Sequence, residues 1–254
     1  MNLEENYLDA FSELKASLKI ASPSPQQAIS LIDLTLLDEL ATDEELMMLG
    51  EKANHHQVAA ICVMPEQLQK IALSSAVKRA TVVNFPKGNL ASKELLANID
   101  TILSNYQPDE IDYVFPHQTY LEGEEHFALS QCQQAYKLCQ QQGTVFKVIL
   151  ETGALPSLEF IYKMSTEVIN SGCDFLKTST GKIAQGATLS SAFIILKAIK
   201  DNNIACGLKV SGGIKTPEQA FSYMILAKQM LGIDLDKSWF RIGASSLLNE
   251  LINH

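Results

Sequence analysis

The 254-residue chain has no basic excess, no paired-cysteine motif, no glycine-rich nucleotide fingerprint and no long apolar run. Each absence excludes something. With 20 Lys and Arg against 29 Asp and Glu, the net charge is −9. A nucleic-acid binder normally presents a basic stripe to phosphate, so that class is disfavoured, although a local cationic pocket for a phosphorylated small molecule is not. Cys62, Cys132, Cys139, Cys173 and Cys206 form no CxxC pair and are odd in number, which reads as free thiols in a reducing cytosol. No His, Cys and Asp residues fall at metal-ligand spacing, so neither a metal nor another cofactor is expected. The N-terminus is acidic at Glu4, Glu5 and Asp9. Neither a secretory signal nor a membrane span is predicted, and the chain is expected to be soluble and cytoplasmic. No G-x-G-x-x-G follows the first apolar run, which weakens an open dinucleotide-binding sheet.

What is there is a repeated alternation. Leu3, Tyr7, Leu8, Phe11, Leu14 and Leu18 are spaced as one face of a helix, which Ser-Pro-Ser-Pro at 22–25 ends. Eight short apolar runs then follow, at 29–36, 58–64, 79–85, 110–115, 145–151, 174–179, 206–210 and 240–242. Between them lie amphipathic segments near 43–55, 65–76, 91–105, 124–142, 157–171, 188–202 and 216–231, with a last one at 245–252. Thr42 with Glu45 reads as a capping box, and Thr216-Pro217 as a cap with proline in the first turn. Strict strand–helix alternation implies parallel strands. The predicted architecture is α/β: a single (β/α)8 barrel over residues 29–254, preceded by a helical extension over 1–28 that packs on the barrel or on a partner subunit.

In such a barrel, functional side chains collect at the C-terminal ends of the strands. Lys147, Lys177 and Lys209 stand on strands five, six and seven, each flanked by apolar residues that face the outer helices. Period-two alternation therefore turns the lysines inward, and it turns Asp112 of strand four inward as well. Burial and mutual repulsion are expected to lower the pKa of at least one amine, making it a nucleophile towards carbonyls. An inward ion-pair network without chemistry is the competing reading, disfavoured because three lysines face few inward acids. Glycine and hydroxyl turns at Gly181-Lys182, Ser211-Gly212-Gly213 and Gly243-Ala-Ser245-Ser246, the last taken as a helix N-terminus, suggest a phosphate cradle. Thr35, Cys62, Lys147 and Thr178, also near strand ends, are further candidates for a substrate pocket.

These motifs together resemble the deoxyribose-phosphate aldolases, a family of class I aldolases. The resemblance runs from about residue 29 to the end. It is carried by Asp33-Leu-Thr35, Ala60-Ile-Cys-Val-Met-Pro65, Val83-Asn-Phe-Pro-Lys-Gly88, Glu110-Ile-Asp-Tyr-Val-Phe-Pro116, Lys147-Val-Ile-Leu-Glu-Thr-Gly153, Phe175-Leu-Lys-Thr-Ser-Thr-Gly-Lys182, Lys209-Val-Ser-Gly-Gly-Ile-Lys215 and Gly243-Ala-Ser-Ser246. It implies a (β/α)8 barrel that reversibly cleaves 2-deoxy-D-ribose 5-phosphate to D-glyceraldehyde 3-phosphate and acetaldehyde in deoxynucleoside catabolism. It further implies that Lys177 forms the Schiff base, Lys209 is the neighbouring cation and Asp112 serves the proton relay. By the same matching, Lys182, Gly212, Gly213, Gly243, Ser245 and Ser246 surround the phosphate, and a homodimer is common. Two departures stand out. Many relatives of the enterobacterial type end in a terminal tyrosine that assists enamine protonation, whereas no tyrosine follows Tyr223 here; either water on Asp112 and Lys209 does that work or turnover is slower. Lys215 also stands where relatives often carry arginine, which forgoes bidentate phosphate binding.

Overall fold

The structure, a computed structural model, describes residues 3–20 and 23–254. Residues 1–2 and 21–22 of the expected extension lie outside the described residues, as does the side chain of Leu18. The chain opens with α1 (Leu3–Ile20) and a short α2 (Pro25–Ile29), then enters β1 (Ile32–Leu36) and α3 (Asp43–His56). There follow β2 (Ala60–Val63), β3 (Lys78–Val83), α4 (Ser92–Tyr106), β4 (Glu110–Val114), α5 (His117–Leu121) and α6 (Glu125–Gln141). The second half runs β5 (Val145–Ile149), α7 (Leu158–Ser171), β6 (Phe175–Lys177), α8 (Leu189–Asn202), β7 (Gly207–Ser211), α9 (Pro217–Leu231), β8 (Phe240–Ala244) and α10 (Leu247–Ile252). Every strand is parallel to its neighbours. Pairing of β1 with β8, with Asp33 opposite Gly243, closes the sheet into an eight-stranded barrel. The expected (β/α)8 barrel with an additional N-terminal helix is the fold observed.

Local chemistry explains most boundaries. Thr42 accepts from the Glu45 amide while Glu45 accepts from the Thr42 amide, closing the capping box of α3. Thr216 caps α9 in the same way, with Pro217 at the first helical position. One expectation fails. The helix expected at 65–76 is a 3-10 helix at Pro65–Lys70, after which the chain runs irregularly to β3. Asn54 of α3 explains the loss: its amide donates to Ala72 O at 3.0 Å and its Oδ1 accepts from Ser74 N at 2.8 Å. Those backbone groups are thus spent on α3 rather than on a continuing helix. A Cβ on Gly50 of α3 would lie 2.6 Å from Ile71, so glycine is what lets this segment approach so closely. Helix α2 was not expected; Ser24 caps it and Pro25 starts it, the same signature used correctly at Thr216.

The N-terminal extension packs on the barrel itself. Helix α1 lies against α8 and α9, with the Tyr7 and Phe193 rings 5.7 Å apart and Leu14 fully buried. This third layer explains why α8 is buried almost all round, from Ser191 to Leu196 and again at Ala198 and Ile199. Among the described residues no helix is long and apolar enough to cross a membrane.

The barrel interior divides into two halves. Strands β2 and β3 point Ala60, Cys62, Ala80 and Val82 inward, a small apolar cluster separate from the main core. The other strands supply long charged side chains, all buried: Asp33, Glu110, Asp112, Lys147, Lys177, Lys209 and Arg241. Short residues on one wall leave the volume that long ones on the other wall fill.

Candidate active site

Alternation within each strand builds the charged half. Asp33 and Thr35 share a face of β1, Glu110 and Asp112 a face of β4, and Arg241 and Gly243 a face of β8. Arg241 donates to Asp33 Oδ1 at 2.6 Å and to Glu110 Oε1 at 2.8 Å. Lys147 also contacts Glu110 and lies 3.1 Å from Asp112 Oδ1. Lys209 Nζ lies 2.6 Å from Asp112 Oδ2 and 2.6 Å from Asp33 Oδ2; the first contact is a hydrogen bond, the second an ion pair without hydrogen-bond alignment. Lys177 Nζ completes the set, 2.7 Å from Asp112 Oδ2. Asp112 therefore holds three ammonium groups.

The electrostatic outcome corrects one expectation. The interior is not short of acids, because Asp33 and Glu110 join Asp112. The two amines beneath Lys177 are held as cations. Burial alone would lower Lys209 and Lys147, but the carboxylates of Asp112 with Asp33, and of Asp112 with Glu110, raise both above the ordinary value. Arg241 is raised by Asp33 and Glu110 against the same burial. Burial pushes Asp112 up, yet Lys147, Lys177 and Lys209 together hold it well below the carboxylate range. Asp33 is likewise lowered, chiefly by Lys209 and Arg241 acting against burial. Beside them, burial pushes the Cys62 thiol up to about 11, with Sγ 3.9 Å from Asp112 Oδ2.

Above this network, at the C-terminal end of the strands, is a cavity of about 350 Å³. Lys177 is the network lysine that reaches it; Thr35, Gly181, Lys182, Gly212, Gly213, Gly243, Ser245 and Ser246 line it, with Lys215 at its edge. Asp112, Lys147, Lys209 and Cys62 lie beneath rather than on the wall. Thr178 faces away from the cavity: it donates to Ser211 O at 3.0 Å and accepts from Ser211 N at 2.9 Å, tying β6 to β7. Larger cavities lie over β2–β3, about 670 Å³, and at the other end of the barrel, about 730 Å³, and neither contains an interior charge of the network.

The cavity walls are glycine turns with positive φ: Gly181 at 77°, Gly212 at 90° and Gly213 at 82°. A Cβ on Gly212 would stand 2.9 Å from Gly186 Cα, and one on Gly243 would stand 2.9 Å from Ser211 Cβ and 3.1 Å from Lys209 Cε. Only the glycines let these turns close over one another. The helix expected to open at Ser245 begins at Leu247, and Ser246 spends no side-chain bond on capping it. Lys182 Nζ spans the mouth to Leu37 O at 3.0 Å and sits 5.8 Å from the Phe85 ring centroid. Glu151, quoted in sequence only as part of a motif, is a buried brace. It accepts from the amide and hydroxyl of Thr180 and so fixes the loop between Lys177 and Lys182. Among the described residues no group of His, Cys, Asp and Glu side chains could hold a metal ion.

The fold and this site define a (β/α)8 barrel with a lysine at the floor of a small cavity walled by glycine turns. The chain belongs to an aldolase family, since the model described as DeoC/LacD family aldolase matches residues 27–251. Solved structures agree on the fold. A Coccidioides immitis protein assigned as a deoxyribose-phosphate aldolase superposes with a TM-score of 0.79 at 23% identity, over 98% of each chain. The deoxyribose phosphate aldolase of Aeropyrum pernix, described as a unique tetramer, matches with a TM-score of 0.74 at 24% identity, over 91% of this chain and 92% of its own.

Proposed function

We propose that this aldolase cleaves 2-deoxy-D-ribose 5-phosphate reversibly to D-glyceraldehyde 3-phosphate and acetaldehyde, through a Schiff base on Lys177. The observation that carries the reading is the shared contact of Lys177 and Lys209 on one oxygen of Asp112, with Lys177 alone of the network lysines reaching the cavity. Among the interior cations Lys147, Lys177, Lys209 and Arg241, one lines the cavity. Lys177 is the one exposed to substrate. Its free amine adds to the C1 aldehyde of the open-chain sugar, and loss of water leaves an iminium that withdraws electrons from C2. A water held by Asp112 and Lys209 then takes the C3 hydroxyl proton as the C2–C3 bond breaks. The enamine is reprotonated at the same place, and hydrolysis returns Lys177. Positioned proton transfer of this kind is worth about 10²–10⁴-fold.

The phosphate is assigned to the Gly181–Lys182, Gly212–Gly213 and Gly243–Ser246 turns, where freed amides and Lys182 offer donors and charge. Gripping it there fixes the reacting carbons over Lys177. Two copies of the chain are expected to associate, as in the resemblance drawn above. The deciding experiment is borohydride reduction with substrate present, followed by peptide mass spectrometry. A reduced adduct on Lys177 is expected, and Lys177→Leu should abolish both adduct and cleavage. Adduct elsewhere, or full activity in Lys177→Leu, overturns the mechanism. A panel of phosphorylated aldehydes in the synthetic direction tests the choice of sugar, with D-glyceraldehyde 3-phosphate expected to be preferred.

A further inference from the structure

At the opposite end of the barrel two thiols meet. Cys173, between α7 and β6, and Cys206, between α8 and β7, are both buried with their sulfurs 3.6 Å apart. They come together because β6 and β7 are neighbours, with Gly207 N donating to Asp174 O at 2.8 Å. The cavity of about 730 Å³ at this end is lined by Cys206, Phe175, Trp239, Ile204 and Ile233. Ile204 and Ile233 are about half exposed, so the cavity opens to solvent. Cys173 is not on its wall and stands behind Cys206. The geometry thus gives one thiol with access and a second thiol as its resolving partner.

We propose that Cys173 and Cys206 are an oxidisable pair that forms a reversible disulfide when a small peroxide enters this cavity. Bonding needs the sulfurs to close to about 2.05 Å. Neither cysteine is held in a strand or helix: Cys173 follows Gly172 at a φ of 108°, and Cys206 follows the irregular stretch after Asn203. Side-chain rotation and these connections absorb the approach. In the first step Cys206 sulfur attacks one oxygen of hydrogen peroxide; an S–O bond forms, the O–O bond breaks, and the departing hydroxide takes the thiol proton to leave as water. In the second, Cys173 sulfur attacks Cys206 sulfur. The S–S bond forms, the S–O bond breaks, and the hydroxyl leaves with the Cys173 proton as a second water. The two thiols lose two electrons in all, and the peroxide gains them.

The contact between the two sulfurs, with burial, holds the Cys173 thiol well above its ordinary range, so the closing step is slow. The cross-link joins the N-terminal ends of the strands that carry Lys177 and Lys209, while the 350 Å³ cavity lies at their C-terminal ends. Oxidised protein is therefore expected to keep its cleavage activity and to melt at a higher temperature.

The test uses the intact chain and hydrogen peroxide, followed by alkylation and peptide mapping. A peptide linking Cys173 to Cys206 is expected, with Cys62, Cys132 and Cys139 alkylated. Trp239, the single tryptophan, lines the same cavity; its fluorescence should fall on oxidation and return with dithiothreitol. Cys173→Ser should give sulfinic acid on Cys206 without a cross-link. The proposal is overturned if wild-type Cys206 stops at sulfinic acid beside a free Cys173, or if it links to Cys132 or Cys139. It is equally overturned if all five thiols survive peroxide that oxidises the urea-unfolded chain.

Discussion

Asp112→Asn is the sharpest perturbation of the network, because it removes one charge and almost no volume. The side chain is fully buried and lies 2.7 Å from Lys177, 2.6 Å from Lys209 and 3.1 Å from Lys147. Lys147 and Lys209 keep Asp33, and Lys147 keeps Glu110 as well. Lys177 is left with no carboxylate in ion-pair reach among the described residues. Breaking a buried pair from one side costs about 3–5 kcal/mol, and the remaining acids put this case near the lower end. At about 2–4 °C per kcal/mol for a domain of this size, the melting temperature should fall by about 6–12 °C. The catalytic cost should be larger, about 10²–10⁴-fold in kcat, as expected for loss of a positioned proton carrier. KM should move less than about threefold, because the glycine turns that hold the substrate's remote end are untouched. A coupled assay that detects released D-glyceraldehyde 3-phosphate gives kcat and KM, and a thermal melt gives the stability change. Turnover within threefold of wild type removes Asp112 from the relay; an unchanged melting temperature refutes the reading of the buried network.

The same network sets a pH window. Asp112 is depressed in the folded state, so its stabilisation is present above the ordinary 3.8 and is lost as pH falls below it. Lys147 is raised, so its contribution is intact below the ordinary 10.5 and fades only as pH rises beyond that. Melting temperatures measured from acid to alkaline pH should accordingly drop steeply below about pH 4, with a shallower acid limb in Asp112→Asn; a parallel limb would assign acid unfolding to other groups. Gly243→Ala should raise KM for the phosphorylated substrate at least about tenfold and lower kcat as well, since the new Cβ meets both Ser211 and Lys209. Wild-type kinetics would show that this turn has room to spare. Leu14→Ala should cost about 2–5 kcal/mol, seen as a lower melting temperature or as protease cleavage confined to α1. Resistance in both measurements would mean that α1 does not hold α8 and α9.

Much of the site was legible because strand periodicity carries direction. Lys147, Lys177, Lys209 and Asp112 were placed inward by their apolar neighbours alone. The same alternation would have found Asp33, Glu110 and Arg241, which share strand faces with Thr35, Asp112 and Gly243. Thr178 shows its limit. It stands at a strand end, but its hydroxyl is spent on the Ser211 backbone, and only the pairing of β6 with β7 shows that.

By itself the sequence determined the eightfold alternation, the inward set of lysines and the glycine turns near the barrel mouth. These follow from local rules of period, capping and backbone freedom that act within a few residues. Tertiary structure alone decided which charges meet. Lys209 and Asp112 are 97 residues apart, and Arg241 and Asp33 are 208. Whether a buried lysine is depressed by its neighbours or held as a cation depends on those distances, because Coulomb attraction between charges a few ångströms apart outweighs desolvation only when the carboxylates are close. The lysines were expected to repel one another. Closure of the barrel put Asp33, Glu110 and Asp112 among them, and at Lys147 and Lys209 attraction won.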